Sequence, residues 1–447
     1  DITADVKSLE LMGYEYRDAK VNGTIADQAF LGEITMDDDA IAFTFKGKAG
    51  LDIDHPEHNF NLDITYLDLK ELNLYDQELK FAGNIAGNFT GNDLRSMNGH
   101  IAVTGATVAA RDQLITLDSI DLLATSIEGK YDWKLRSPVV DANYRGTSSA
   151  TVGIPMLVNH FNYYFNRQAY READTLGSQQ FDFDVSIHDN MDVLPFFVSG
   201  LNELNPVVIT GSFDSKSKKL ELTSTQIDAN YSGIVSDSLV LSASSDPEKL
   251  NYSITADRIQ KDTLVLEGVS LKGYLQHDSI TAFLSVAPTE QDTALLLGGS
   301  LSTRGENYRL HIWPDQLVFN NVRWSVEPDN YFQYGADGVM AHDMKIYNDS
   351  SYIKIQSVGD VAGAPLDFSF SNFDLGMLSG IADSSEQLLS GLVNGNFLLN
   401  DMKTSTFSAD LDVQGLSVLG KKYGNLELNA VNEEKGLYDI KLGLLGA

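Results

Sequence analysis

Residues 388–420 read LLSGLVNGNFLLNDMKTSTFSADLDVQGLSVLG. Within them Phe407, Ala409, Leu411 and Val413 alternate with Ser408, Asp410, Asp412 and Gln414. Successive side chains on a strand point to opposite faces, so this stretch makes a sheet with one apolar and one wet face. No catalytic group interrupts it, and glycines at 391, 395, 415 and 420 punctuate it.

The same period of two recurs along the chain. Phe181, Phe183, Val185 and Ile187 alternate with Asp182, Asp184, Ser186 and His188. Phe60, Leu62, Ile64 and Tyr66 do so in FNLDITY, and Ile41, Phe43 and Phe45 in IAFTF. Further cases are Leu366, Phe368 and Phe370, then Leu250, Tyr252 and Ile254, then Tyr438, Ile440 and Leu442. Turn-rich stretches such as NGN, DSKSKK, SDPEK and NEEKG separate them. The fold expected is all-β: an elongated, curled, mostly antiparallel sheet with a continuous hydrophobic groove and a few short helices.

Three segments break the period. GIPMLVNHFNYYFNRQ carries Pro155 near a helix start, with Leu157, Phe161 and Tyr164 at helical spacing. NMDVLPFFVSGLNELNP and NFDLGMLSGIADSSEQLLSG read as short amphipathic helices, with Phe196, Phe197, Leu378 and Leu389 packed beneath them. Each follows an alternating strand and returns to a strand at a glycine. A looser copy, LDLKELNLYDQELKFAGNIAGNFTG, puts a strand where the helix stood, which suggests degenerate internal repetition. No Pro-rich, Ser/Gly-rich or charged linker divides the chain, so residues 1–447 read as one repetitive segment. Its blocks are 1–152 β, 153–206 helix-containing, 207–371 β, 372–396 short helical and 397–447 β. About 35 strands at ~4.8 Å each would make a ribbon on the order of 150 Å long.

Composition narrows the function. Hydrophobic residues make up 43% of the 447, which is ample for a folded core and too apolar for disorder. Asp and Glu number 63 against 32 Lys and Arg, a net charge of -31, and such a surface repels nucleic acid and anionic headgroups. Any lipid must then be met by apolar surface. The chain has no cysteine, which suits an oxidising compartment. No apolar run approaches the ~18 residues of a membrane helix. Both ends fall in mid-pattern, so a longer protein carrying an anchor elsewhere is expected.

Reaction chemistry is absent from the motifs: there is no phosphate loop, no G-x-S-x-G, no H-E-x-x-H and no EF-hand loop. The best metal candidate is LDIDHPEHN, with Asp52, Asp54, His55, Glu57 and His58. A lone H-x-x-H is a weak pattern, and a polar hairpin loop with Pro56 at its tip, between the strands of Ile53 and Phe60, is the better reading. Asp37 to Asp39 could hold calcium but read better as a solvated acidic turn. No cofactor, metal or enzymatic activity is expected. The residues expected to line the groove are Phe43, Phe60, Leu62, Ile64, Phe181, Phe183, Val185, Ile254, Trp324, Phe368, Phe370, Phe407, Leu411, Val413 and Leu428. Trp324 could line the groove or plug it, and Trp313, opposite Ile312, belongs to the surface or rim.

Residues 307–430 resemble the TamB family in its Bacteroidetes-type form, an AsmA-like branch of the bridge-like lipid-transfer proteins. The resemblance is carried by YRLHIWPDQLVFNNVRWSVEPDNYFQYGADGVMAHDMKIYNDSSYIKIQS, DFSFSNFDLGMLSG, SGLVNGNFLL, FSADLDVQGLSVLG and YGNLELNA in that order. It implies a β-taco groove, phospholipid acyl chains as cargo, a periplasmic location, an inner-membrane anchor and an outer-membrane Omp85-type barrel as partner. Asp-Ser and Asp-Thr pairs at Asp118, Asp174, Asp237, Asp262, Asp278 and Asp292 resemble O-glycosylation acceptors of secreted Bacteroidetes proteins. Two other functions share the same alternation. One is a scaffold that holds outer-membrane barrel strands by edge pairing. The other is an adhesin built of separate β-sandwiches, which would need linkers.

Overall fold

Two-residue turns with both central residues at positive φ set the strand pairing. Asp27–Gln28 (48° and 55°), His277–Asp278 (50° and 59°) and Asn320–Asn321 (49° and 60°) are examples. Such turns match the right-handed twist of the strands they join, and only the last would be marked by its Asn pair in the sequence. The computed structural model describes residues 1–110, 113–165, 178–287, 289, 293–379, 389–401, 406–434 and 437–446. They contain 31 strands, and every strand pairing given below is antiparallel. Strand takes 70% and helix 6%, and the sheet does not close into a barrel, so the fold is all-β as the alternation requires.

The chain gathers into two compact units, Asp1–His160 with Arg171–Ser232, and Phe161–Tyr170 with Gly233–Ala447. No linker composition announces that division. In the first unit each strand from Ile2–Leu11 to Val140–Gly146 pairs with the next in sequence. Gln180–Ile187, Val207–Asp214 and Lys219–Ser224 continue the meander. Leu201–Leu204 instead pairs with Ile227–Tyr231.

In the second unit the strands from Ile234–Ser245 to Asn307–Phe319 also pair in order. There the sheet forks. Leu317–Phe319 pair with Val322–Val326, while Asn307–Leu310 pair with Tyr331–Gly335. The first branch runs on through Met344–Asn348, Ser351–Ser357, Leu366–Asp374, Leu389–Asp401, Thr406–Val418 and Lys421–Glu434 to Leu437–Leu445. Asn330 holds the fork. Its side-chain oxygen accepts from the Ile312 amide at 3.0 Å and its nitrogen donates to the Ile312 carbonyl at 2.7 Å, replacing a strand neighbour.

The helices are shorter or placed differently than the sequence suggests. Helix α1 is Ala150–Tyr164, beginning ahead of Pro155. Helix α2 is one turn, Leu194–Phe197, and the rest of its expected span is taken by Gly200 at φ 90° and the strand Leu201–Leu204. Helix α3 is Gly376–Ser379; residues 380–388 and the Leu378 side chain lie outside the described residues. In the looser repeat, residues 69–79 are a turn and not a strand, because Asp68 accepts the amides of Lys70 and Glu71 and Leu72 is fully buried.

Candidate functional site

The register of the first unit lines up its apolar residues. Gly23 faces Gly32, Gly32 faces Gly47, Gly47 faces Phe60, Phe60 faces Gly87 and Gly87 faces Ile101. From Ile101 the row continues through Leu122, Leu135, Ala142 and Val185 to Ile209. Beside it runs Ile34, Phe45, Leu62, Ile85, Val103 and Ile120. Phe43 faces Met36 and Ile64. No charged side chain stands in these rows.

Glycine gives the first row a particular form. A Cβ on Gly32 would come within 2.8 Å of the Phe30 ring, and one on Gly87 within 2.7 Å of the Phe60 ring. The rings therefore lie over the glycines and pave the sheet. Ring centroids are 6.4 Å apart for Phe30 and Phe45, 5.4 Å for Phe45 and Phe60, and 6.2 Å for Phe60 and Phe89. A side chain lying along the sheet covers backbone while rising less above it, so the face stays shallow.

The margins of this face are sealed and its middle is not. Val193, next to α2, joins Ala106, Ile115 and Leu117 in a buried cluster with Phe196 packed on it. At another margin α1 lies on Tyr144 so closely that a Cβ on Gly153 would meet its hydroxyl at 2.3 Å. His160 of α1 stands edge-on to Phe213 at 4.9 Å, and Phe213 meets Phe181 at 5.2 Å. Burial first, and then the Lys218 charge, push the His160 imidazole down to about 4. Between these margins Phe60, Leu62, Ile101, Leu122, Leu135, Ala142 and Val185 are half-buried.

The opposite face is polar and internally matched. Asn61 and Asn84 exchange amide hydrogen bonds at 2.9 and 2.8 Å. Arg145 donates to Asp132 at 3.1 Å, and Lys48 to Glu57 at 2.7 Å.

The second unit repeats the arrangement. Ile254, half-buried, sits between Leu241 and Leu271. Phe368 lies between Ile355 and Phe397, and Phe370 between Ile353 and Gly395. Leu411 lies between Gly395 and Leu428, and Leu428 faces Leu442. The Phe397 ring is 5.6 Å from Phe368 and 5.4 Å from Phe407. Asn432, across from Phe407, is a buried polar residue whose side-chain oxygen has no partner among the described residues. Trp313 meets Phe283 at 4.8 Å, on the face opposite Leu284.

Most of the expected groove residues therefore lie on half-exposed apolar faces: Phe43, Phe60, Leu62, Phe183, Val185, Ile254, Phe368, Phe370, Phe407, Leu411 and Leu428. Ile64 and Val413 are buried on those faces. Phe181, 3% exposed, packs with Tyr144 and Phe213 at the α1 margin. Trp324, also 3% exposed, packs with Leu317, Val326 and Phe373 at the fork, so it plugs and does not line. The glycine row escaped the sequence reading because it exists only across strands.

The metal candidates are dispersed. Asp52 accepts the amides of Asp54 and His55, Glu57 binds Lys48, and His58 stacks on Phe89. Ile53 is no strand residue but 85% exposed in the loop, while Pro56 is fully buried and takes the Gly91 amide. Asp38 is occupied by the Tyr14 hydroxyl and the amides of Arg17 and Ala40. Burial raises its carboxyl, but these bonds outweigh that and hold it below the usual range. The same bond is the main cause that pushes the Tyr14 hydroxyl up to about 12. No group of three or more metal-ligating side chains occurs among the described residues. No helix among them is long and apolar enough to cross a membrane. Asp174 and Asp292 lie outside the described residues.

No family model matches the chain, and no curated protein matches it.

Proposed function

We propose that this chain is a lipid-conduit segment that carries phospholipid acyl chains along its apolar faces. The observation that carries the reading is the half-buried row from Phe60 to Ile209 in the first unit, apolar across successive strands and walled by helices at its margins. Each methylene that leaves water for such a surface gains about 0.8 kcal/mol, while a headgroup stays in solvent. A lining without charges offers no deep well, so a chain held there can slide. The resemblance of residues 307–430 to the TamB family supports a periplasmic setting, an inner-membrane anchor elsewhere in the protein and an Omp85-type outer-membrane partner. Native mass spectrometry and solvent extraction of the purified protein are expected to find co-purified phospholipid. Protein that carries none and takes up no fluorescent acyl probe would overturn the proposal.

A further inference from the structure

Resting on the groove reading, we infer that the floor paved by Phe30, Phe45, Phe60 and Phe89 is a site for one acyl chain with an anionic end group, and that His58 sets that preference. The four rings stand on four neighbouring strands, Ala29–Asp37, Ile41–Gly50, Glu57–Asp68 and Lys80–Thr90; Phe30, 7% exposed, closes one end, and the other three are half-buried. Three strand spacings of ~4.8 Å make a floor about 14 Å across. One acyl chain fills half of a ~30 Å bilayer core, about 15 Å, so a single chain laid across the strands covers the floor.

His58 stands where the floor ends. It faces Phe89 across the strands, and the two rings are 4.8 Å apart at 31°. Its side chain is on the same face as Phe60 and Leu62, two and four residues on, and it is half-buried. Glu57, next to it, points to the other face and is neutralised by Lys48 at 2.7 Å. The loop carboxylate of Asp52 is turned onto the amides of Asp54 and His55. His58 is therefore an ionisable group on the same face as these rings, within reach of a chain lying on them. An imidazole N–H makes a charge-assisted hydrogen bond to an anion, whereas an ester offers it only a weaker neutral acceptor. A carboxylate or phosphate monoester at the chain end would supply that charge.

The test compares cis-parinaric acid with its methyl ester, which has the same fluorescent chain and no charge, on the full chain. The acid is expected to bind roughly fivefold more tightly than the ester, the size of one half-exposed ion pair. His58→Leu should erase the difference between acid and ester, while His58→Lys should keep or widen it. Equal binding of acid and ester to the native chain, or a preference that survives in His58→Leu, overturns the role of His58 and leaves the groove standing. If neither probe binds, the groove reading itself fails and this inference goes with it. Carboxylate and phosphate sources separate by competition: displacement of the probe by hexadecanoate alone assigns a carboxylate end group, and displacement by a lysophosphatidic acid alone assigns a phosphate.

Discussion

The fork around Trp324 and the paved floor around Phe60 are made from the same alternating strands, yet one is sealed and the other is half-exposed. At the fork Leu317 is 1% exposed, and two branches leave one strand, so side chains meet across them. Ile312 contributes to both buried clusters there, one with Trp324 and one with Met344 and Leu366. Over the Phe60 floor the described residues supply helices only at the margins. The comparison teaches that an apolar strand face becomes core when the chain provides a second layer, and remains available surface when it does not.

The largest effect should come from putting the same charge into a sealed and a half-exposed setting of the second unit. Trp324→Asp buries an unpaired carboxylate and should cost upwards of about 4 kcal/mol, enough to abolish a cooperative melt of the second unit. Leu411→Asp lies on a half-exposed face where water reaches the carboxylate, so it should cost about 1 kcal/mol and leave the calorimetric transition nearly in place. It should nevertheless lower acyl-probe uptake. Equal destabilisation by the two would break the distinction between sealed and open.

Acid should find the α1 margin next. Because the folded state holds the His160 imidazole down at about 4, against about 6.5 when unfolded, the unfolded chain binds the proton more readily between those values. Stability of the first unit should therefore be intact above about pH 6.5 and fall as pH drops toward 4, by up to about 3 kcal/mol. His160→Phe should flatten that part of a stability profile measured by urea unfolding. An unchanged slope would mean that this margin opens too easily to be called sealed.

Smaller again is the effect expected of Gly87→Val. The new side chain would meet the Phe60 ring at contact distances no Cβ tolerates, so the ring must lift. The ring is free to move on a half-open face, and the cost should be about 1–2 kcal/mol. Parinaric methyl ester binding should weaken with it, since the floor is no longer flat. Retained binding with a normal melt would show that the paving is incidental. The smallest change is Asp410→Leu on the wet face, within about 0.5 kcal/mol of the native chain and without effect on probe uptake.

Much of this was legible in the residues. Alternation at Phe407, Ala409, Leu411 and Val413 assigns these side chains to one face, and the register carries Leu411 onto Leu428 and Val413 onto Leu426. The helix at Leu157 and Tyr164 was readable from its spacing. The one-turn helix Leu194–Phe197 was overestimated because a Leu- and Phe-rich stretch has the same composition whether it coils or pairs as Leu201–Leu204 does. Asp52, His55 and His58 looked like a cluster because they are close in sequence, but strand geometry sends His58 to the rings and Asp52 to its own turn.

What the sequence by itself determined is local: the period of two, some of the turns, the acidic wet face and the absence of charge from the apolar one. These follow from backbone geometry and from where water can solvate a carboxylate. What only the tertiary structure decided is which apolar faces receive a cover and which glycines stand side by side. Gly23, Gly32 and Gly47 stand on three successive strands and meet only through register, and Trp324 is sealed only because the sheet forks beside it. Burial depends on what is stacked above a strand, and alternation, which decides the direction of a side chain, carries no information about that second layer.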